Sequence, residues 1–189
     1  MILKKPTLDE VNNIDMSPQY GMYNFFPEIE NGEINYLEKK AGKEHYKLLG
    51  WISNQYNHTT LCEIGTCDGM GLLALTLNKN NKVISYDIKD YKQKHKMPFN
   101  GERKICDTIF NFYDEIKECP IIFYDARHDG ETELNFLNGL IDNEWKGVIF
   151  FDDIHFNDAM KSFWLKIELH KEDWSDIGHY TGTGVVFFK

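Results

Sequence analysis

Two apolar runs in this 189-residue chain end in acids: Ile121-Ile122-Phe123-Tyr124-Asp125 and Val148-Ile149-Phe150-Phe151-Asp152-Asp153. Such runs read as buried strands, and in a parallel sheet their endings share one edge. Three unpaired carboxylates there would repel one another and raise their own pKa values, so a bound cation is the simplest way to keep them charged. An all-oxygen donor set favours a hard ion such as Mg²⁺ over zinc. One such acid alone reads as a helix cap or a solvated strand end. Three at one edge read as a cation site.

A second constellation lies upstream. Leu61-Cys62-Glu63-Ile64-Gly65-Thr66-Cys67-Asp68-Gly69 joins an apolar strand, Thr59 to Gly65, to an apolar helix, Gly69 to Leu77. Gly65 and Gly69 permit a tight turn and let backbone N–H groups approach a ligand with no Cβ in the way. About 20 residues beyond the first glycine, Asp87 ends the next strand, where a carboxylate can accept from both ribose hydroxyls. Together they point to a nucleoside cofactor. The spacing Gly65-x-x-x-Gly69-x-Gly71 also suits nicotinamide cofactors, and Cys67 stands where many such loops have a third glycine. For proton transfer, His128 follows Asp125 by three residues and His155 follows Asp153 by two; an imidazole pKa of about 6.5 is readily moved across neutrality.

The elements that must position these groups follow from periodicity. An N-terminal cap, residues 1–57, opens with a stretch rich in Pro, Asn, Gly and aromatics (Tyr20, Tyr23, Phe25, Phe26) and closes with a helix within Gly42 to Tyr56, where Tyr46, Leu48, Leu49, Trp51 and Ile52 recur at helical spacing. Residues 58–189 alternate strand and helix: strands at Thr59 to Gly65, Lys82 to Asp87, Pro120 to Tyr124 and Lys146 to Phe151, and helices at Gly69 to Leu77, Glu131 to Ile141 and Asn157 to His170, the last capped by Asn157. Asp107 to Glu118 fits a short strand and turn or a helix, and residues 88–107 show no regular pattern. Trp174 to Lys189 reads as two strands joined tightly at Thr181-Gly182-Thr183-Gly184. This alternation implies a largely parallel sheet covered on both faces.

Composition narrows the function classes. A net charge of -9 argues against broad attachment to phosphate backbones, so no nucleic-acid partner is expected, and the Lys92 to Lys96 stretch reads as an exposed loop. The four cysteines contain no CxxC pair, which suggests free thiols rather than a zinc knuckle or redox site. No segment reads as a signal peptide or a membrane span, so a cytoplasmic protein with a small-molecule substrate is expected; a homo-oligomer stays open.

The Leu61 to Gly69 stretch resembles the first motif of class I methyltransferases, and Asp87 matches their second. The resemblance implies S-adenosyl-L-methionine as cofactor, bound by Glu63, Gly65, Thr66, Gly69 and Asp87 with Asp125 beside them. It also implies a Rossmann-like, doubly wound α/β fold: a mostly parallel seven-stranded sheet with a C-terminal antiparallel hairpin. Reductases of similar glycine spacing resemble the chain less, since they normally start with the glycine strand, whereas here a cap of residues 1–57 precedes it and the Tyr-x-x-x-Lys pattern at Tyr36 to Lys40 lies upstream of the glycines.

Over about residues 59 to 155 the likeness narrows. Asp125-Ala126-Arg127-His128 and Asp152-Asp153 are similar to the metal motifs of catechol O-methyltransferase-like enzymes and of a bacterial branch that methylates sugars. The resemblance implies Asp125, Asp152 and Asp153 as ligands of Mg²⁺ or another hard divalent cation, and Mg-assisted O-methylation of a sugar or catechol-like diol. The chain departs from the pattern at Ala126-Arg127, and His128 stands where the catechol enzymes place a lysine. His128 is therefore the first candidate for proton acceptor and His155 the second. A non-catalytic cofactor-binding module and an NAD(P)-dependent reductase are the competing expectations.

Overall fold

Seven strands form one sheet in the order β3-β2-β1-β4-β5-β7-β6. They are β1 (Thr60–Ile64), β2 (Lys82–Asp87), β3 (Gly101–Ile105), β4 (Ile121–Tyr124), β5 (Gly147–Asp152), β6 (Lys171–Asp173) and β7 (Thr183–Phe188). The helices are α1 (Leu8–Asn12), α2 (Ile34–Leu37), α3 (Tyr46–Gln55), α4 (Met70–Leu75), α5 (Tyr113–Ile116), α6 (Glu131–Asp142) and α7 (Asp158–Lys166). This computed structural model describes residues 3–19, 34–67, 69–89, 100–106 and 112–189; Asp68, the Lys92 to Lys96 stretch, and Tyr20, Tyr23, Phe25 and Phe26 lie outside the described residues.

The five strands from β3 to β5 run parallel, and β7 lies antiparallel between β5 and β6. The sheet agrees with the expected seven-stranded α/β architecture. The strand order reverses at β1, which lies between β2 and β4, so the crevice at the carboxyl ends of β1 and β4 is the topological switch point where open α/β sheets bind ligands.

Strand side chains alternate between two buried layers. Leu61, Val83, Ile121, Phe123, Val148, Phe150 and Val185 pack on the face covered by α1, α3 and α4, against residues such as Leu48, Ile52 and Leu72. Cys62, Ile84, Tyr86, Ile122, Tyr124, Ile149 and Phe151 pack on the other face, against Phe136 and Leu140 of α6 and Met160 and Phe163 of α7. Carried one step further along each strand, the same alternation assigns Glu63, Ser85, Asp87, Asp125 and Asp152 to the α3/α4 face. Asp87, Asp125 and Asp152 therefore share a face as well as an edge.

Three expectations shift. The C-terminal pair is antiparallel as expected, but β6 starts at Lys171 and residues 174–182 form a long connection instead of a tight turn. The reason is local: Trp174 is fully buried against Phe150, with ring centroids 5.6 Å apart, and Ile177 is buried beside it, so this segment folds inward. Within residues 88–107, β3 pairs with β2 along the sheet's edge. Its sequence shows no apolar period because edge strands carry charge; Glu102 pairs with Lys82 at 3.0 Å, and Lys104 pairs with Glu115. Finally, α7 stops at Lys166, although Asn157 caps it as expected, its side chain accepting from the Met160 N–H at 2.9 Å.

Candidate active site

The glycine turn is built for close approach. Gly65 has φ of +95°, and a Cβ there would overlap the Asp125 carbonyl oxygen and lie 2.7 Å from its carbon. The ends of β1 and β4 are drawn together by the Asp125 N–H, which donates to the Ile64 carbonyl at 2.8 Å. Gly69 also has φ of +95° and donates its N–H to the Thr66 carbonyl at 2.7 Å. Beneath the turn, Thr66 and Ser85 share a hydrogen bond of 2.6 Å, and Ser85 donates to Glu63, all three buried. Glu63 is thereby fixed under the turn against Gly71, whose Cβ would lie 3.3 Å from the Glu63 Cδ.

Asp87 closes the turn on its β2 side. Its Oδ2 accepts from the Cys67 N–H at 2.8 Å and its Oδ1 from the Lys89 N–H at 2.9 Å. Each carboxylate oxygen has two acceptor sites, so one on each remains for a ribose hydroxyl. The turn and Asp87 fit a nucleoside cofactor.

Next to them lies a cluster of acids and imidazoles. His128 Nε2 is 3.4 Å from Asp125 Oδ1 and 3.5 Å from Asp153 Oδ2, so it bridges two of the expected acids. Asp152, almost wholly buried, has its Oδ2 3.3 Å from His45 Nδ1 and 3.1 Å from His179 Nδ1. Asp153 Oδ1 lies 3.2 Å from His179 Nδ1 and accepts from the Thr181 hydroxyl. His179 Nε2 reaches back to Glu44 Oε2 at 3.5 Å. His155 lies outside the cluster, its Nε2 2.8 Å from Asp173 Oδ2 at an exposed position.

Electrostatics follow from burial and pairing. Burial works to raise the Asp152 carboxyl, but His45 and His179 overcome it and hold the group well below the usual carboxylate range. Asp125 is pushed up by burial and by the Asp152 charge beside it. Burial disfavours charge on the histidines, yet the carboxylates win: His45 is raised by Asp152, His128 is raised by Asp125, and His179 is pushed up to about 10 by Asp152 and Asp153.

Sequence reasoning overlooked His45, His179 and Glu133. His45 immediately precedes α3 and lies over the face to which Asp152 belongs, its ring centroid 4.9 Å from that of Phe123. His179 belongs to the connection before β7; because β7 is antiparallel to β5, with Thr183 opposite Asp152, that connection returns to the carboxyl edge. The expected antiparallel hairpin was the one signal for it. Glu133, fully buried in α6, accepts from the His128 N–H at 2.9 Å and the Gly130 N–H at 2.7 Å. It holds a loop in which Arg127 and His128 both have positive φ, a strained conformation typical of functional sites. The buried Gly130 N–H would be left without its acceptor at a cost of about 1–3 kcal/mol, while the His128 N–H keeps the Ala126 carbonyl, so Glu133→Ala is expected to lower stability by about 1–3 kcal/mol in urea unfolding, with Glu133→Gln intermediate. A Glu133→Ala protein with the wild-type midpoint would remove this role.

No family model matches the sequence and no curated protein matches it. Solved structures do match. The SAH-bound methyltransferase PaMTH1 of Podospora anserina aligns over 100% of both chains at 12% identity with a TM-score of 0.52. A provisionally assigned caffeoyl-CoA O-methyltransferase of Staphylococcus aureus aligns over 96% of both chains at 10% identity and a TM-score of 0.55. The chain has a methyltransferase fold. A Geobacter sulfurreducens methyltransferase agrees, at 9% identity over 93% of this chain and 99% of its own, with a TM-score of 0.54. The antiparallel β7 sets this fold apart from the dinucleotide-binding order 3-2-1-4-5-6. Among the described residues, no helix is long and apolar enough to cross a membrane.

Proposed function

We propose that the chain is an S-adenosylmethionine-dependent methyltransferase acting on a hydroxyl of a small molecule. The observation that carries this reading is the placement of a bridged base, His128 between Asp125 and Asp153, beside the glycine turn and Asp87 at the switch point of a methyltransferase fold. Bound there, the cofactor would supply an electrophilic methyl group, with Asp87 on its ribose hydroxyls and the Gly65 to Gly69 backbone around its methionine part. His128 accepts the acceptor hydroxyl proton at Nδ1, while its Nε2–H is held between Asp125 and Asp153, which stabilise the resulting imidazolium. Exposed Phe156, whose ring centroid is 6.1 Å from that of His128, and exposed Tyr180, 4.7 Å from that of His179, border the cluster and offer ring faces to a sugar or aryl acceptor.

Mg²⁺, expected on Asp125, Asp152 and Asp153, does not fit the geometry well. Among the described residues, the three ligand-type side chains whose donor atoms all lie within 4.8 Å of one another are His45, Asp152 and His179. Two imidazoles make a poor donor set for Mg²⁺, and no step is routed through that ion.

Titration calorimetry with S-adenosylmethionine, followed by turnover to S-adenosylhomocysteine over a panel of sugar and catechol diols, tests the reading. Binding without turnover would leave a cofactor-binding module, and binding of NAD(P) in its place would overturn the reading. Asp87→Ala is expected to weaken cofactor affinity at least about tenfold, as loss of hydrogen bonds to a charged group would. Unchanged affinity would mean that the ribose binds elsewhere.

A further inference from the structure

The His45, Asp152 and His179 donors come from three parts of the chain: the start of α3, the end of β5 and the connection before β7. Asp152 Oδ2 lies 3.3 Å from one imidazole Nδ1 and 3.1 Å from the other, and all three donor atoms lie within 4.8 Å of one another. Bonds of about 2.1 Å to a shared ion put neighbouring donors about 3.0 Å apart at right angles and about 3.4 Å apart at tetrahedral angles. The two imidazole-to-carboxylate spacings fall between these values.

A second observation points the same way. His45 Nδ1 and Asp152 Oδ1 are buried and have no hydrogen-bond partner, although both residues are at most 3% exposed. Orphaned polar atoms at such depth are costly and rare unless something else satisfies them. Among the described residues, the one polar neighbour of His45 Nδ1 is Asp152 Oδ2, in an ion-pair contact at 3.3 Å, so a shared cation between the two would satisfy both side chains. Around the trio, Glu44 sits 3.5 Å from His179 Nε2, the carboxylate–histidine arrangement that orients metal-ligating imidazoles.

We propose that His45, Asp152 and His179 hold one divalent ion of the borderline class, Zn²⁺ or Co²⁺ in type, in place of the Mg²⁺ that three carboxylates would select. Nitrogen ligands shift preference from hard ions toward this class. Three protein ligands leave a further position open, as in catalytic zinc sites, and an ion there would polarise a hydroxyl next to His128. The proposal concerns the site assigned to methyl transfer but stands on donor geometry alone; it can fail while cofactor binding and turnover succeed, and the reverse.

The test uses the full chain, stripped with a chelator and without S-adenosylmethionine or acceptor. Zn²⁺ and Mg²⁺ are titrated by calorimetry and Co²⁺ by its visible d–d absorption. One equivalent of Zn²⁺ or Co²⁺ is expected to bind, with Mg²⁺ failing to compete at a hundredfold excess. His179→Ala and His45→Ala are each expected to weaken binding by about 100-fold or more, Glu44→Gln by about tenfold, and Asp125→Asn by little. Zn K-edge absorption on the wild-type protein counts imidazole ligands directly, so the outcome survives even if His45→Ala fails to fold; two are expected. No saturable Zn²⁺ or Co²⁺ binding overturns the proposal, as does an absorption spectrum without imidazole. Binding lost in Asp125→Asn but kept in His179→Ala would also overturn it and restore the acid-only site.

Discussion

His128→Ala is expected to lower kcat for methyl transfer by about 10²–10⁴-fold, the range typical of losing a positioned general base, while affinity for S-adenosylmethionine stays within about twofold. The separation follows from placement. His128 Nε2 faces Asp125 and Asp153, whereas Asp87 is engaged on the β2 side of the glycine turn, where its Oδ2 accepts from the Cys67 N–H. Its backbone is held independently of its ring: the N–H donates to Ala126 and Glu133, and the carbonyl accepts from Asn157 Nδ2 at 2.8 Å. Truncating the ring should therefore leave the loop in position. Exogenous imidazole should restore part of the rate, which a merely structural role would not allow. A His128→Ala enzyme with unchanged kcat would move the base elsewhere in the cluster, and equal losses of cofactor affinity and rate would make His128 a positioning residue. His155→Ala is expected to change kcat little, because that imidazole is engaged with exposed Asp173.

The groups that could be recognised in the sequence were those announced by the strand before them. Asp87, Asp125 and Asp152 each end an apolar run, so strand periodicity gives both edge and face without knowledge of the rest of the chain. His45 and His179 have no such herald. Each is a single histidine beside a helix start or within a connection, and only the packing of α3 over β4 and β5 and the return of β7 bring them to Asp152. Three carboxylates read in isolation imply a hard cation, but strand endings show only what the strands contribute; the cap and the C-terminal connection add the nitrogens. The edge strand β3 was illegible for a different reason, since the charges that protect an exposed edge erase the apolar period that marks a strand.

Gly65→Ala is expected to cost more than about 3 kcal/mol in urea unfolding and to abolish measurable S-adenosylmethionine binding. Two causes act together. A left-handed backbone costs a non-glycine residue about 1–2 kcal/mol, and Gly65 sits at φ of +95°. The second cause is steric: the added methyl would meet the Asp125 carbonyl, which is backbone and cannot rotate away as a side chain can. Relief requires parting the ends of β1 and β4, yet these are tied by the Asp125 N–H to the Ile64 carbonyl and, on the other side of β1, by the Gly65 N–H to the Tyr86 carbonyl at 2.8 Å. Separation would move Asp125, and with it the acid that bridges to His128, as well as the turn. If the loss were only about 1–2 kcal/mol with binding retained, conformational cost alone would account for it and the close approach of the two strands would not matter. If both stability and binding were unchanged, the Gly65 turn would not be the cofactor cradle at all.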